Sequence, residues 1–130
     1  MQVLVDSSVW IDYFRGGGNS DALDTLIDAN IISTNDLILA ELIPYLQIKG
    51  QDRLIDLLGM VHRLELRIVW EQIIRLQYDL LKNGINGIGI PDLIMAQNAI
   101  QHGCKIYALD RHFTLMSTVL GIELLELQAP

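Results

Sequence analysis

Val3-Leu4-Val5-Asp6-Ser7-Ser8-Val9-Trp10 is the stretch from which the rest of the chain can be read. Its first three residues are apolar, short and β-branched enough for a buried strand. Asp6-Ser7-Ser8 stops that strand, and Ser7 or Ser8 can accept the orphan N–H groups of a following helix. In that helix Val9, Trp10, Tyr13 and Phe14 share one face, and Gly16-Gly17-Gly18 ends it. A strand that hands over directly to a helix is half of a βαβ unit, so the pattern beyond it decides the fold class.

Moving outward, Asn19-Ser20 opens a second short helix through about Ala29, and Ile31-Ile32-Ser33-Thr34 reads as a second strand. Asn35 caps a longer helix from about Asp36 to Ile48, which Pro44 should kink or end early. A helix from Asp52 to His62, a strand from Leu66 to Val69 and a helix from Glu71 to Lys82 follow. Gly84, Gly87 and Gly89 mark a flexible loop, and Pro91 suits the first turn of a helix reaching about Gln101. A strand at Ile106–Leu109, a short helix near 111–119 and a last strand at Ile122–Leu125 complete the series. Strands alternating with helices predict an α/β fold with a mostly parallel sheet covered on both faces.

The chain has 130 residues, 51% of them hydrophobic, enough for the core of one domain spanning residues 1–130, with no repeat or dividing linker. Its single cysteine, Cys104, forms no internal disulfide and is expected only to pack, and no Cys/His group stands at zinc-ligand spacing. A reducing, cytoplasmic setting is expected. Met1-Gln2 leads straight into Val3-Leu4-Val5 without a basic segment, and no apolar run approaches the roughly 20 residues of a membrane helix. Neither glycine-rich stretch carries the Gly-Lys-Ser/Thr ending of a phosphate loop.

The formal charge of −7 argues against broad, nonspecific nucleic-acid binding, although two bound divalent ions would bring it to −3. Among the scattered basic residues, Arg15, Lys82 and Arg111 lie near suspected loop or site positions.

In a parallel sheet the functional crevice lies beyond the carboxyl ends of the strands. Asp6 follows Val3-Leu4-Val5 and Asp110 follows Ile106-Tyr107-Ala108-Leu109, so both emerge on one edge if those strands are parallel. Asp92 joins them from the first turn of a helix whose stripe holds Met95, Ala96 and Ala99, with Gln97, Asn98 and Gln101 on the other side. Glu41 lies at helical spacing on the stripe of Leu37, Ile38, Tyr45 and Ile48, where a carboxylate needs a partner. Two full charges 4 Å apart repel by about 4 kcal/mol at an effective dielectric of 20, so four converging carboxylates require protons or cations. An all-oxygen set with room for water suits Mg²⁺ or Mn²⁺, which can activate water and stabilise the leaving oxygen of a phosphodiester.

Each acid also has a plainer reading. Asp6 can cap a helix, Asp92 can complement a helix dipole, Asp110 can begin a turn, and Glu41 can pair with an arginine or reach solvent. Asp12 lies opposite its helix's apolar face and is read as a solvated acid meeting Arg15. The Ser8 hydroxyl, two residues after Asp6, can bind a metal-bound water or a phosphate, or only cap. His112 is read as a surface or packing residue, with substrate contact as the alternative. Trp10 and Trp70 are read as core.

Taken together, Val5-Asp6-Ser7-Ser8-Val9-Trp10-Ile11, Ala40-Glu41-Leu42, Asp92-Leu93-Ile94-Met95-Ala96 and Leu109-Asp110-Arg111-His112-Phe113 resemble, in order and spacing, a PIN domain, closest to the VapC-type toxins. The resemblance implies a three-layer α/β/α sandwich and Mg²⁺- or Mn²⁺-dependent cleavage of RNA. It also implies a homodimer and inhibition by a VapB-like antitoxin. By this resemblance Asp6, Glu41, Asp92 and Asp110 match the acidic metal-binding and catalytic positions, and Ser8 the accessory hydroxyl; Arg15 and Arg111 are the expected substrate contacts. The expected division of labour has Asp6, Glu41 and Asp92 on one ion and Asp110 on a second ion or its water shell.

Other readings fit less well. A receiver domain needs its acceptor aspartate at the end of a central strand, whereas Asp56 sits in the helical pattern Leu54-Ile55-Asp56-Leu57-Leu58. A haloacid-dehalogenase-like phosphatase wants a second acid two residues after the first, where this chain has Ser8. The remaining alternative is a noncatalytic PIN-like protein-binding module.

Overall fold

The computed structural model describes residues 1–126. Strands β1 (Val3–Val5), β2 (Ile32–Thr34), β3 (His62–Arg63) and β4 (Lys105–Tyr107) form one all-parallel sheet in the order β3-β2-β1-β4. The helices are α1 (Ser7–Phe14), α2 (Ser20–Asp28), α3 (Asp36–Ile48), α4 (Asp52–Met60), α5 (Trp70–Lys82), α6 (Ile90–His102) and α7 (Arg111–Ser117). The chain steps outward from β1 to β3, then returns across the sheet to pair β4 with the other side of β1. Right-handed crossovers in opposite directions put α1–α4 on one face and α5 and α6 on the other. The packing agrees: α1 lies against α2 and α3, α3 against α4, and α5 against α6.

This order reverses at β1 and β4, and in open parallel sheets the carboxyl ends of the strands at such a switch point are where ligands bind. Val3 pairs with Lys105 and Val5 with Tyr107, and the Asp6 N–H donates to the Tyr107 carbonyl at 2.9 Å. Val3, Leu4 and Val5 are fully buried, as a central parallel strand covered on both faces requires.

Several local expectations are corrected. Helix α3 runs through Pro44 to Ile48 without ending early. The proline leaves the Ala40 carbonyl without its helical donor, but Ala40 and Pro44 both lie on the exposed side, where water can serve it. Burial of Ile38, Leu39, Leu42 and Leu46 then outweighs a proline cost of about 3 kcal/mol. That buried stripe also differs from the expected one, since Ile48 is 84% exposed.

The third strand is His62–Arg63, extended by Leu64 N–H to the Thr34 carbonyl at 2.8 Å, and α4 accordingly ends at Met60. Leu66–Val69 forms no strand because side chains of α6 take over its hydrogen bonding. Asn98 Nδ2 donates to the Glu65 carbonyl at 2.9 Å and Gln101 Nε2 to the Arg67 carbonyl at 2.9 Å. Gln97 holds both polar groups of Val69, accepting from its N–H at 3.1 Å and donating to its carbonyl at 3.0 Å. This role explains why Gln97 and Asn98 are buried, so α6 has no polar outer side at those two positions.

At the far edge, Ile122–Leu125 contributes one parallel bridge, Ile106 with Leu124, in place of a full strand. Trp10 is buried and stacks on Phe14, as expected of a core residue, whereas Trp70 is 57% exposed. Cys104 is buried. Among the described residues no helix is long and apolar enough to cross a membrane.

Candidate functional site

Asp6 leaves β1 in an extended conformation and is the N-cap of α1, the plainer of its two expected roles, rather than Ser7 or Ser8. Its Oδ2 accepts from the Ser8 N–H at 3.1 Å and from the Ser8 hydroxyl at 2.6 Å. The same hydroxyl oxygen accepts from the Leu109 N–H at 3.0 Å. Ser8 therefore ties the end of β1 to the segment after β4, and its proton is committed to Asp6. Ser7 turns the other way and donates to Glu41 Oε2 at 2.9 Å, linking α1 to α3.

Asp92 enters from the first turn of α6 and Asp110 is the N-cap of α7, where its Oδ1 accepts from the His112 N–H at 2.9 Å. The fold brings His112 into this group: its Nδ1 lies 3.1 Å from Asp92 Oδ2 and 3.5 Å from Asp110 Oδ1. Asp92, Asp110 and His112 each present a ligand atom within 4.8 Å of the others. His112 was legible only as the second residue after Asp110; its approach to Asp92 depends on α6 and α7 meeting.

Charge coupling connects the four acids. Burial pushes the Glu41 carboxyl above its ordinary value, the Ser7 hydroxyl opposes this, and the charges of Asp6 and Asp92 add to the rise. Burial likewise raises Asp92; the His112 hydrogen bond opposes it, and Asp110 and Asp6 reinforce it. In the absence of cations the folded chain thus holds these two protons more tightly than the unfolded chain does. By linkage, their contribution to stability is greatest at low pH and is lost as pH rises from the ordinary values, 3.8 for Asp92 and 4.5 for Glu41, through the raised ones. Glu41→Gln removes one of these groups, so in chelator its melting temperature relative to wild type is expected to climb across that window. A difference flat with pH would contradict the coupling.

The donor set fits a hard divalent cation. It consists mainly of carboxylate oxygens, contains no thiolate, and gathers negative charge that a cation would relieve. Of the two arginines expected to contact substrate, Arg111 is exposed at the start of α7 beside Asp110. Arg15 caps the other end of α1, about 13 Å along the helix axis from Asp6 at 1.5 Å per residue. Asp12 is not the solvated partner of Arg15: its carboxylate accepts from the Asn19 backbone and side-chain amides at 3.3 and 3.4 Å, pinning the glycine turn.

The chain is similar to several solved structures. VapBC2 from Rickettsia felis, bound to a promoter DNA fragment, superposes with a TM-score of 0.77 at 17% identity, covering 98% of this chain and 100% of that one. DNA-bound VapBC from Salmonella typhimurium gives 0.74 at 12% identity, with 95% and 96% covered. VapC20 from Mycobacterium tuberculosis, a sarcin-ricin loop cleaving toxin, gives 0.60 at 14% identity, with 93% and 98% covered. Likeness at these identities speaks for the fold alone, and no curated protein matches the sequence. The sequence model of the PIN domain matches residues 3–118, from the first strand through the last described helix. The chain belongs to the PIN domain family.

Proposed function

We propose that this chain, as a single PIN domain over residues 1–130, is a Mg²⁺- or Mn²⁺-dependent endoribonuclease and the toxin of a toxin–antitoxin pair. The observation that supports the reading is the charge coupling of Glu41 with Asp6 and Asp92, and of Asp92 with Asp6 and Asp110, acids that follow β1, lie on α3 and α6 and precede α7. These four carboxylates would hold the metal. A bound divalent cation supplies Lewis-acid polarisation of the phosphate and activation of water. The protein's own part is positioning. The Ser8 hydroxyl orients Asp6, the Ser7 hydroxyl orients Glu41, and the Asp110 cap fixes the start of α7. Arg111, exposed beside Asp110, is the cation best disposed toward an RNA backbone, and Arg15 would serve a more distant phosphate.

The test is incubation of purified protein with total tRNA and ribosomal RNA in millimolar Mn²⁺ or Mg²⁺ and, in parallel, in excess chelator. Discrete fragments in metal and none in chelator are expected. Metal binding without cleavage of any RNA would favour the noncatalytic protein-binding module.

The partner reading is a VapB-like antitoxin and a second copy of the chain, in the cytoplasm. The similar VapBC structures support the first. For the second, α5 exposes Trp70, Ile74, Tyr78 and Leu81 along one stripe, over an apolar hollow of about 380 Å³ that Ile90 helps to line. Such a helical stripe can pack against its own copy across a twofold axis. Ile74→Glu is expected to weaken self-association by at least about 30-fold, the effect of losing a 2 kcal/mol interface anchor. Sedimentation at tens of micromolar would read this; a monomeric wild type would remove the homodimer.

A further inference from the structure

We propose that His112 is a nitrogen ligand of the metal centre, completing with Asp92 and Asp110 a mixed oxygen–nitrogen set that favours Mn²⁺ over Mg²⁺. The inference rests on the metal-site reading above and adds a donor outside the four carboxylates. Adjacent ligands on an octahedral ion with bonds of about 2.1 Å lie about 3.0 Å apart. His112 Nδ1 stands 3.1 Å from Asp92 Oδ2 and 3.5 Å from Asp110 Oδ1, close to that spacing. The ring's position is not accidental, because the His112 backbone N–H is fixed by the Asp110 carboxylate at 2.9 Å. One aspartate thus serves as both cap and neighbour.

Ligation through Nδ1 requires the neutral ring with its proton on Nε2. A side chain 42% exposed leaves that second nitrogen within reach of water. Imidazole suits transition ions, whereas Mg²⁺ holds to oxygen donors and keeps several waters. An added nitrogen therefore strengthens Mn²⁺ binding and does little for Mg²⁺. The competing arrangement is an imidazolium bridging Asp92 and Asp110 that a metal would have to displace; it predicts weaker, not stronger, metal binding because of His112.

The experiment is Mn²⁺ and Mg²⁺ titration of wild type, His112→Gln and His112→Asp, with pulsed electron paramagnetic resonance of the Mn²⁺ complexes. Wild type should show nitrogen coupling from a directly bound imidazole. His112→Gln should lose the coupling and bind Mn²⁺ at least about 10-fold more weakly, a conservative figure since even outer-shell changes cost 10- to 100-fold. Mg²⁺ affinity should change far less, and His112→Asp should bind both ions without nitrogen coupling. Mn²⁺ bound to wild type without nitrogen coupling, or more tightly by His112→Gln, would overturn the proposal while leaving the carboxylate site standing. No Mn²⁺ binding by wild type would overturn the carboxylate site itself, and this inference with it.

Discussion

Asp92→Asn is expected to lose metal-dependent RNA cleavage by at least about 100-fold, since a direct ligand should cost no less than the outer-shell partners of metal sites do. The fold should survive, because Asn keeps the shape and still accepts from His112. The physical signature lies in the melting temperatures. A cation at about 100 times its dissociation constant adds roughly 2.7 kcal/mol to wild type, a rise of several degrees for a chain of this size. That rise should vanish in Asp92→Asn. In chelator near neutral pH the sign reverses, and the variant should melt at or above wild type. It has shed a carboxylate that burial and the charges of Asp110 and Asp6 disfavour. Loss of activity together with a lower melting temperature in chelator would mark a folding defect. Undiminished cleavage would remove Asp92 from the site.

The second large effect is on stability. Asn98 and Asn35 are 1% and 0% exposed, and Asn98 Oδ1 accepts from Asn35 Nδ2 at 2.8 Å. Asn35 Oδ1 in turn accepts from the Ile38 N–H at 2.9 Å, capping α3, while Asn98 Nδ2 holds the Glu65 carbonyl. Asn98→Leu keeps the volume but leaves the Asn35 amide with only a 3.6 Å contact to Met95 Sδ. It also removes a donor from Glu65. Stranded buried polar groups cost about 1–3 kcal/mol each, so a loss of about 3 kcal/mol is expected in urea unfolding. For this length the melting temperature would fall by roughly 10 °C. A loss below about 1 kcal/mol would mean that water replaces the missing partners. The bond joins α3 to α6, the helices that carry Glu41 and Asp92, so metal affinity should weaken alongside stability.

Much of this architecture is legible in residue order. Asn35 caps α3, Pro91 sits in the first turn of α6, and the glycines after Phe14 follow the end of α1. These signals act within a few residues, so they can be read without knowing what packs where. The expected emergence of Asp6 and Asp110 on one edge rests on the same footing, because each acid closely follows an apolar strand, and β1 and β4 are parallel neighbours.

Where the reading diverged, a distant residue overruled a local preference. Leu66–Val69 has the composition of a strand, yet Gln97 and Gln101 supply its hydrogen bonds from α6, with Asn98 holding the preceding Glu65 carbonyl. Pro44 should kink a helix or end it early, yet α3 continues past it to Ile48, with its opposite side buried in the core. His112 looks like a surface residue until α7 meets α6, and only then does its ring stand between Asp92 and Asp110. Residue order therefore determined the strand–helix alternation and the acids at the strand ends, through caps and periodicity whose energies are local. Tertiary structure decided which polar groups satisfy one another and which side chain completes the site, because those pairings join residues 20 to 63 positions apart and exist only once the core has closed.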